Sequence, residues 1–199
     1  FDKADEYRIP AMILADGLLG QMMEPVSFHE IEPAHTDKSG WAANGHKNKR
    51  AHHIINSLYL DAPTLEKIVR ERYERYAIIE SREQRSESYM CEDAEILVVG
   101  YGAAARVAKS AVAQARAEGI KAGLFRPITL YPFPKDALRE AAAGAKVLLD
   151  TELSMGQMIE DVKLAINCSK PVEFYGRTGG VVPTPGEILE KLRELNGGI

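Results

Sequence analysis

The first residues that could do chemistry lie where an apolar run meets an alanine-rich segment. The run "EILVVG" ends at Gly100, and Gly102 and Ala105 follow in the spacing G-x-G-x-x-A. In dinucleotide-binding proteins this spacing gives a tight turn and lets the backbone approach a pyrophosphate. The next strand should then end in an acid that holds the ribose, whereas here "KAGLF" is followed by Arg126-Pro127. Since arginine suits a 2′-phosphate, two hypotheses stay open: an NADP site, or a close strand-to-helix turn without a ligand.

A second candidate is a magnesium and diphosphate motif at Asp16-Gly17, which Asn44 follows later in the chain. Thiamine enzymes hold magnesium with Gly-Asp-Gly and a distant asparagine, because these oxygens are the hard ligands that the ion prefers. Here Ala15 replaces the first glycine, and no second asparagine follows Asn44. The stretch between them holds the breakers Pro25, Pro33 and Gly40 in place of a helix. We therefore predict no metal site in this chain.

The five histidines lie in one loop-like region: His29, His35, His46, His52 and His53. Adjacent His52 and His53 point in different directions in any regular structure, and no His-x-x-x-His pair accompanies a glutamate on a helix. A polar loop is therefore favoured over a zinc site. Cys91 and Cys168 are far apart and form no Cys-x-x-Cys motif, so any iron–sulfur cluster must belong to another chain.

The stretch "GRTGGVVPTP", residues 176–185, is rich in glycine and proline. Its backbone could form a phosphate nest, although the lysine and spacing of a P-loop are missing. A contact with a ligand or partner and a rigid turn both stay open. Residues 94–199 contain no histidine, and no Ser-His-Asp or Cys-His pair can be assembled, so we assign no catalytic residue.

The elements that must position these residues alternate regularly from about residue 94. Strands are predicted at "EILVVG", "KAGLF", "KVLLDT" and "PVEFY". Helices are predicted over residues 103–118 and from Lys135, near Ser154 and from Gly186. This alternation predicts an α/β fold with a doubly wound parallel sheet.

The earlier part of the chain is less regular. Pro10 precedes "AMILAD", a predicted strand ending at Asp16, and residues 27–53 are predicted as loop. A long amphipathic helix should begin after Asp61, with Pro63 in its first turn. Two ion pairs are predicted on its exposed side, Glu66 with Arg70 and Glu71 with Arg75.

Composition narrows the classes of partner. The chain has 199 residues, 45% of them hydrophobic and 27% charged, with a net charge of −4. That balance predicts no nucleic-acid or membrane partner, and no apolar run approaches the ~20 residues that a bilayer requires. No signal peptide is recognisable, and the chain begins with Phe1 and not Met, so we expect a piece of a longer protein.

Three stretches together resemble a known family: "YRIPAMILADGLLGQMMEPV", "LFRPITLYPFP" and "TELSMGQMIEDVKLAINCSKPVEFYGRTGGVVPTP". They are similar to the C-terminal half of the alpha subunit of 2-oxoacid:ferredoxin oxidoreductases, and the resemblance covers essentially the whole chain. It implies three parts. Residues 1–27 are expected to be the remnant of a thiamine-type pyrimidine-binding domain, residues 28–93 a loop and helix connector, and residues 94–199 a transketolase C-terminal-like domain.

Within that family "DGLLGQMMEPV" resembles the branched-chain, 2-oxoisovalerate type. The 2-oxoglutarate type tends to carry an acid at the position of Gly17, and a histidine and an arginine at those of Gln21 and Met23. A loop made of Asp16, Gly17, Leu18, Gln21, Met22 and Met23 is therefore expected on the substrate side. Leu18, Met22 and Met23 would suit an apolar substrate side chain, since methionine adapts to irregular shapes.

The resemblance implies oxidative decarboxylation of a branched-chain 2-oxoacid to acyl-CoA and CO2, with electrons passed to ferredoxin. Thiamine diphosphate and Mg2+ are expected mainly on the beta subunit and the iron–sulfur clusters on other chains, and this fragment should be inactive alone. Beta and gamma/delta subunits, ferredoxin and coenzyme A are the implied partners of a cytoplasmic oligomer. The alternatives are an NADP-binding oxidoreductase domain, a subunit of another thiamine enzyme such as a 2-oxoacid dehydrogenase beta chain, and an interaction module without a site.

Overall fold

The computed structural model describes residues 1–30, 32 and 36–198, so Pro33 and His35 lie outside the described residues. The chain divides into two compact units. We call residues 1–14 and 23–79 the N-terminal unit, and residues 15–22 with those from Glu80 onward the sheet unit. The predicted boundaries at residues 27 and 93 stay predictions.

The sheet unit is built around five strands. They are β1 (Ser86–Tyr89), β2 (Ile96–Gly100), β3 (Ala122–Pro127), β4 (Val147–Glu152) and β5 (Val172–Gly176). Its helices are α2 (Gly17–Gln21), α4 (Gly102–Ala117), α5 (Lys135–Ala141), α6 (Met158–Ala165) and α7 (Pro185–Gly197). The N-terminal unit contains α1 (Asp2–Tyr7) and most of α3 (Ala62–Arg82).

The sheet order is β1-β3-β2-β4-β5, and every neighbouring pair except β1 with β3 is parallel. The chain moves from β2 outward to β3 and then crosses back over β2 to reach β4. Val98 and Leu149 pack under α4 and α7, whereas Leu97 and Leu148 pack under α5 and α6. The predicted doubly wound α/β fold is therefore confirmed.

Two features of the sheet unit differ from the sequence expectation. Strand β1 was not predicted, because Ser-Glu-Ser-Tyr is short and polar and gains its strand form from pairing antiparallel with β3. Such short, charged strands are common at sheet edges. The helix expected near Ser154 begins only at Met158, because the preceding turn supplies donors to a buried carboxylate, as described below.

The strand predicted at "AMILAD" was wrong. Residues 10–16 form no strand, and Met12, Ile13 and Leu14 are 81%, 95% and 69% exposed. A strand needs a neighbour to satisfy its N–H and C=O groups. No strand pairs with this stretch among the described residues, so its apolar side chains alone do not make it extended and buried.

Helix α3 starts as predicted. The Asp61 carboxylate accepts from the Thr64 backbone N–H at 3.0 Å and so caps the helix. The predicted ion pair between Glu66 and Arg70 on the exposed side of α3 is also confirmed, since Arg70 donates to Glu66 Oε1 at 2.6 Å.

The second predicted pair on α3, Glu71 with Arg75, was wrong. Arg75 donates to the backbone carbonyls of Tyr7 and Arg8, both at 3.3 Å, while Glu71 lies 4.0 Å from Lys67. Carbonyl groups at the C-terminal end of a helix point away from its N–H donors, so a long cationic side chain can bind them.

A glycine in β3 tests the packing of this unit. A Cβ at Gly123 would lie 2.6 Å from the Met90 carbonyl oxygen and 3.1 Å from Cys91 Cα, both backbone atoms. Gly123→Ala should lower the free energy of unfolding by about 1–3 kcal/mol through overpacking. At Gly144 the nearest atom would be 3.6 Å away, so Gly144→Ala is the matched control. Urea denaturation of both variants measures the difference, and equal stabilities would contradict this account.

Candidate functional site

The glycine turn between β2 and α4 is explained by packing and backbone geometry. A Cβ on Gly100 would lie 3.0 Å from Thr151 Cγ2 and 3.5 Å from Ala105 Cα, so a glycine lets β4 and α4 approach. Gly102 has φ +54°, a left-handed conformation that glycine adopts without strain. Both glycines of the motif therefore have structural reasons that require no nucleotide.

Two carboxylates stand where a dinucleotide would need open cationic space. Asp16 Oδ2 lies 3.7 Å from the position that a Cβ on Gly102 would take, close to the start of α4. Arg126 NH1 donates to Glu87 Oε2 at 3.0 Å, so a 2′-phosphate would have to compete with that carboxylate for Arg126. The geometry favours the close-turn interpretation over the NADP hypothesis.

A buried acidic pair at the carboxyl end of β4 was missed by sequence reasoning. Asp150 and Glu152 are fully buried, and their spacing of two places them on the same face of β4 as Leu148. The signal in the sequence is two acids at i and i+2 directly after the apolar residues Val-Leu-Leu, in a strand of a parallel sheet, where buried strands are normally apolar throughout.

Glu152 is held by several donors from the turn that leads into α6. It accepts from Ser154 Oγ at 2.8 Å, from Gln157 N at 3.0 and 3.1 Å and from Ile159 N at 3.1 Å. Burial alone would raise the pKa of Glu152, but hydrogen bonds from Asp150, from this turn and from Ser154 keep the pKa below its ordinary value. Glu152 is therefore the charged member of the pair.

Asp150 is the neutral member. Burial, followed by the neighbouring Glu152, raises the pKa of Asp150 to about 9. Neither of its carboxylate oxygens meets an N–H or O–H donor among the described residues, as a protonated acid tolerates. Burial and the two carboxylates also raise the pKa of Tyr101, which follows β2.

The acidic pair therefore holds one proton in a dry place at neutral pH. It lies at the carboxyl ends of β2 and β4, between which the strand order reverses, and ligands of open α/β sheets gather at such points. Because Glu152 binds the backbone of the turn before α6, the place of the pair in the structure supports a positioning role for that turn.

The predicted substrate-side loop is only partly assembled. Asp16 caps α2, accepting from Leu19 N at 2.8 Å, and Met22 Sδ lies 3.8 Å from Arg106 NH1. Leu18, Met22 and Met23 are all exposed, and Met23 falls in the other unit. The apolar substrate pocket stays a prediction.

The histidine-rich region is a hydrogen-bonded loop where it is described. The His46 and His52 rings are in contact with centroids 3.9 Å apart and are tilted by 44°, and His53 Nδ1 lies 2.9 Å from the Ala42 carbonyl oxygen. Asn44 accepts from Arg50 at 2.9 Å. Within residues 1–30, 32 and 36–198, no group of three or more His, Cys, Asp or Glu side chains is placed to hold a metal ion.

The glycine and proline stretch at 176–185 connects the end of β5 to the start of α7, with a turn at Gly179 and Gly180. A Cβ on Gly176 would lie 2.3 Å from the Ser154 carbonyl oxygen, so no side chain fits there. Thr184 and Glu187 form a reciprocal capping box that starts α7. Gly179 and Gly180 have positive φ and face open space, and a contact of theirs with a ligand or partner stays a prediction.

Comparisons with known proteins agree on one family. Residues 94–188 match the family model described as pyruvate:ferredoxin oxidoreductase core domain II. The chain is 47% identical over 197 residues to the ketoisovalerate oxidoreductase subunit VorB of Methanothermobacter marburgensis, with 99% of this chain and 55% of the relative covered. It is 28% identical over 217 residues to the 2-oxoglutarate synthase subunit KorA of the same organism, with 96% and 58% covered. The chain thus spans about half the length of the curated relatives it matches.

One solved structure supports the fold. The 2-oxoglutarate:ferredoxin oxidoreductase from Magnetococcus marinus, solved with 2-oxoglutarate, coenzyme A and succinyl-CoA bound, matches with a TM-score of 0.58 and 20% identity. The match covers 69% of this chain and 24% of that chain. At this identity the likeness shows the fold alone.

The acidic pair should make the free energy of unfolding depend on pH. Because the folded pKa of Asp150 is about 9 and its ordinary value is 3.8, the folded state holds an extra proton between these limits. Stability should therefore fall as pH rises through this window. The Asp150→Asn variant has no titrating group at this position. The difference between its free energy of unfolding and that of the parent protein, measured by urea denaturation, should therefore shift in favour of the variant from pH 5 to pH 9.

The contrasting variant is Glu152→Gln. It removes the charge that accepts the turn's N–H groups and should cost about 2 kcal/mol or more at pH 7. A difference between Asp150→Asn and the parent that stays constant across pH would contradict the protonated state of Asp150.

Proposed function

We propose that this chain is part of an alpha-type subunit of a 2-oxoacid:ferredoxin oxidoreductase that acts on branched-chain 2-oxoacids. The observation that carries the proposal is the 47% identity to a ketoisovalerate oxidoreductase subunit over 99% of the chain, against 28% to a 2-oxoglutarate synthase subunit. The family match of residues 94–188 and the α/β fold support it. In this proposal residues 94–199 are the transketolase C-terminal-like domain and residues 1–27 the remnant of the pyrimidine-binding domain.

The proposed reaction converts a 2-oxoacid and coenzyme A into acyl-CoA and CO2. The C1–C2 bond breaks, the thiol of coenzyme A releases its proton as a thioester bond forms at C2, and two electrons pass through iron–sulfur clusters to two ferredoxins. Thiamine diphosphate, when bound, would supply the electron sink for the decarboxylation. The Asp16 side chain caps α2 and Asn44 binds Arg50, so the residues once considered for magnesium are engaged elsewhere, and we place diphosphate and Mg2+ on the beta subunit.

Partner subunits would cover apolar surface that this chain leaves exposed. On α3, Leu65, Val69 and Tyr73 are exposed at helical spacing, and in "PITLYPF" Ile128 and Tyr131 are exposed while Phe133 is buried. We assign these surfaces to contacts within a complex of alpha, beta and gamma/delta subunits. No described helix is long and apolar enough to cross a membrane, and we place the complex in the cytoplasm.

The test is an assay of the full-length protein purified with its partner subunits. Viologen reduction is measured with coenzyme A and 2-oxoisovalerate, 2-oxoglutarate or pyruvate. We expect the highest kcat/KM with 2-oxoisovalerate and measurable activity with related branched acids, because a methylene or two changes binding by only about 1–3 kcal/mol. CoA-dependent activity that is highest with 2-oxoglutarate would overturn the substrate assignment, and absence of viologen reduction with all three would overturn the function.

The loop carries a specificity prediction. Met23→Arg adds a cation where the proposed pocket faces the substrate side chain, so kcat/KM for 2-oxoisovalerate should fall about tenfold relative to that for 2-oxoglutarate. Met155, also a largely exposed methionine but outside the loop, gives the matched control Met155→Arg. A ratio that moves equally in both variants, or in neither, would remove Met23 from the substrate site.

A further inference from the structure

A cleft of about 260 Å³ opens in the sheet unit beside the first turns of α4. Its apolar walls are Leu19, Tyr89 and Leu124. Tyr89 and Leu124 are directly paired across β1 and β3, so they form one continuous floor. Gly102 and Ala105 contribute backbone and small side chains that keep the cleft open.

The polar lining is predominantly cationic. Arg106, Lys109 and Arg126 line the cleft together with a single carboxylate, Glu87. Lys109 Nζ lies 3.0 Å from Glu87 Oε1, and Arg126 NH1 lies 3.0 Å from Glu87 Oε2. The pKa of Glu87 is lowered by these two cations, so the carboxylate is ionised and the lining retains an excess of positive charge.

The same unit holds a second cluster in which one carboxylate pairs with two cations, which we call the Glu95 cluster. Glu95 pairs with Lys121 at 3.1 Å and with Lys146 at 2.6 Å, and these side chains are about as exposed as Glu87 and Lys109. None of the three lines the cleft. The cationic cleft therefore combines two features that surface ion pairs alone do not have: enclosure by apolar walls and a third cation.

We propose that this cleft binds a small organic oxyanion, whose phosphate or carboxylate group faces Arg106, Lys109 and Arg126 and whose apolar part lies against Tyr89 and Leu124. Positive side chains in a concave, partly apolar site concentrate anions and hold them more strongly than an open surface does. None of the six residues of the substrate-side loop is among the residues that line the cleft, and the inference stands whether or not the proposed function is correct.

The test is isothermal titration calorimetry on the full-length protein with two probes, inorganic pyrophosphate and isobutyrate. Binding of the first alone identifies a phosphate ligand, and binding of the second alone identifies a carboxylate ligand. Lys109→Gln and Arg126→Gln should each weaken binding about fivefold, and Glu87→Gln should tighten it about threefold by removing the competing carboxylate. The affinity should also fall as NaCl is raised.

Matched controls separate the cleft from general surface charge. Lys146→Gln and Glu95→Gln change the same residue types in the Glu95 cluster and should leave the affinity unchanged. The opposite sign expected for Glu87→Gln distinguishes a charge effect from misfolding. The proposal is overturned if neither probe binds at about 5 mM, or if Lys109→Gln and Lys146→Gln have equal effects.

Discussion

The close packing of α4 on the sheet determines where the other features of the sheet unit lie. The buried side of this helix is made almost wholly of small residues: Ala103, Ala104, Ala105, Ala108, Ala111, Val112 and Ala115. Small side chains let a helix lie near its sheet, and Gly100 extends this closeness to the start of the turn. The same helix directs Arg106 and Lys109 outward beside β1 and β3, where the cationic cleft forms.

On the opposite face of the sheet, which packs under α5 and α6, two acids are buried together. Fully burying a charge is costly unless hydrogen bonds compensate for lost water. Glu152 is compensated by donors from Ser154, Gln157 and Ile159, whereas Asp150 avoids the cost by keeping its proton. The pair thus fixes the turn before α6 and delays the start of that helix to Met158.

The elements that depend on local sequence pattern could be predicted from the sequence. The elements and contacts that depend on neighbouring parts of the fold could not. The four parallel strands and α3 follow from apolar periodicity and capping, and each lies where the pattern placed it. Strand β1 exists only because β3 offers an edge, and "AMILAD" lacks a strand partner despite its apolar composition. Arg75 donates to a backbone carbonyl at the end of α1 and not to Glu71. Residue spacing along α3 cannot reveal an acceptor that lies on another helix. The two acids can be seen in the sequence, but their burial and their shared proton can be inferred only from the packed structure.

The G-x-G-x-x-A pattern between β2 and α4 does not by itself indicate a bound nucleotide. Close packing and pyrophosphate binding both require small residues at a strand-to-helix turn, so the spacing alone cannot distinguish them. What distinguishes them is the chemistry around the turn. Here Asp16 lies near Gly102, and Arg126 is paired with Glu87. A negative group beside Gly102 disfavours a pyrophosphate on the turn itself, while the cations that could hold an anion line the rest of the cleft, Arg106 and Lys109 on α4 and Arg126 on β3. The glycines therefore serve the fold, and recognition in this unit depends on the cationic side chains that the fold places beside them.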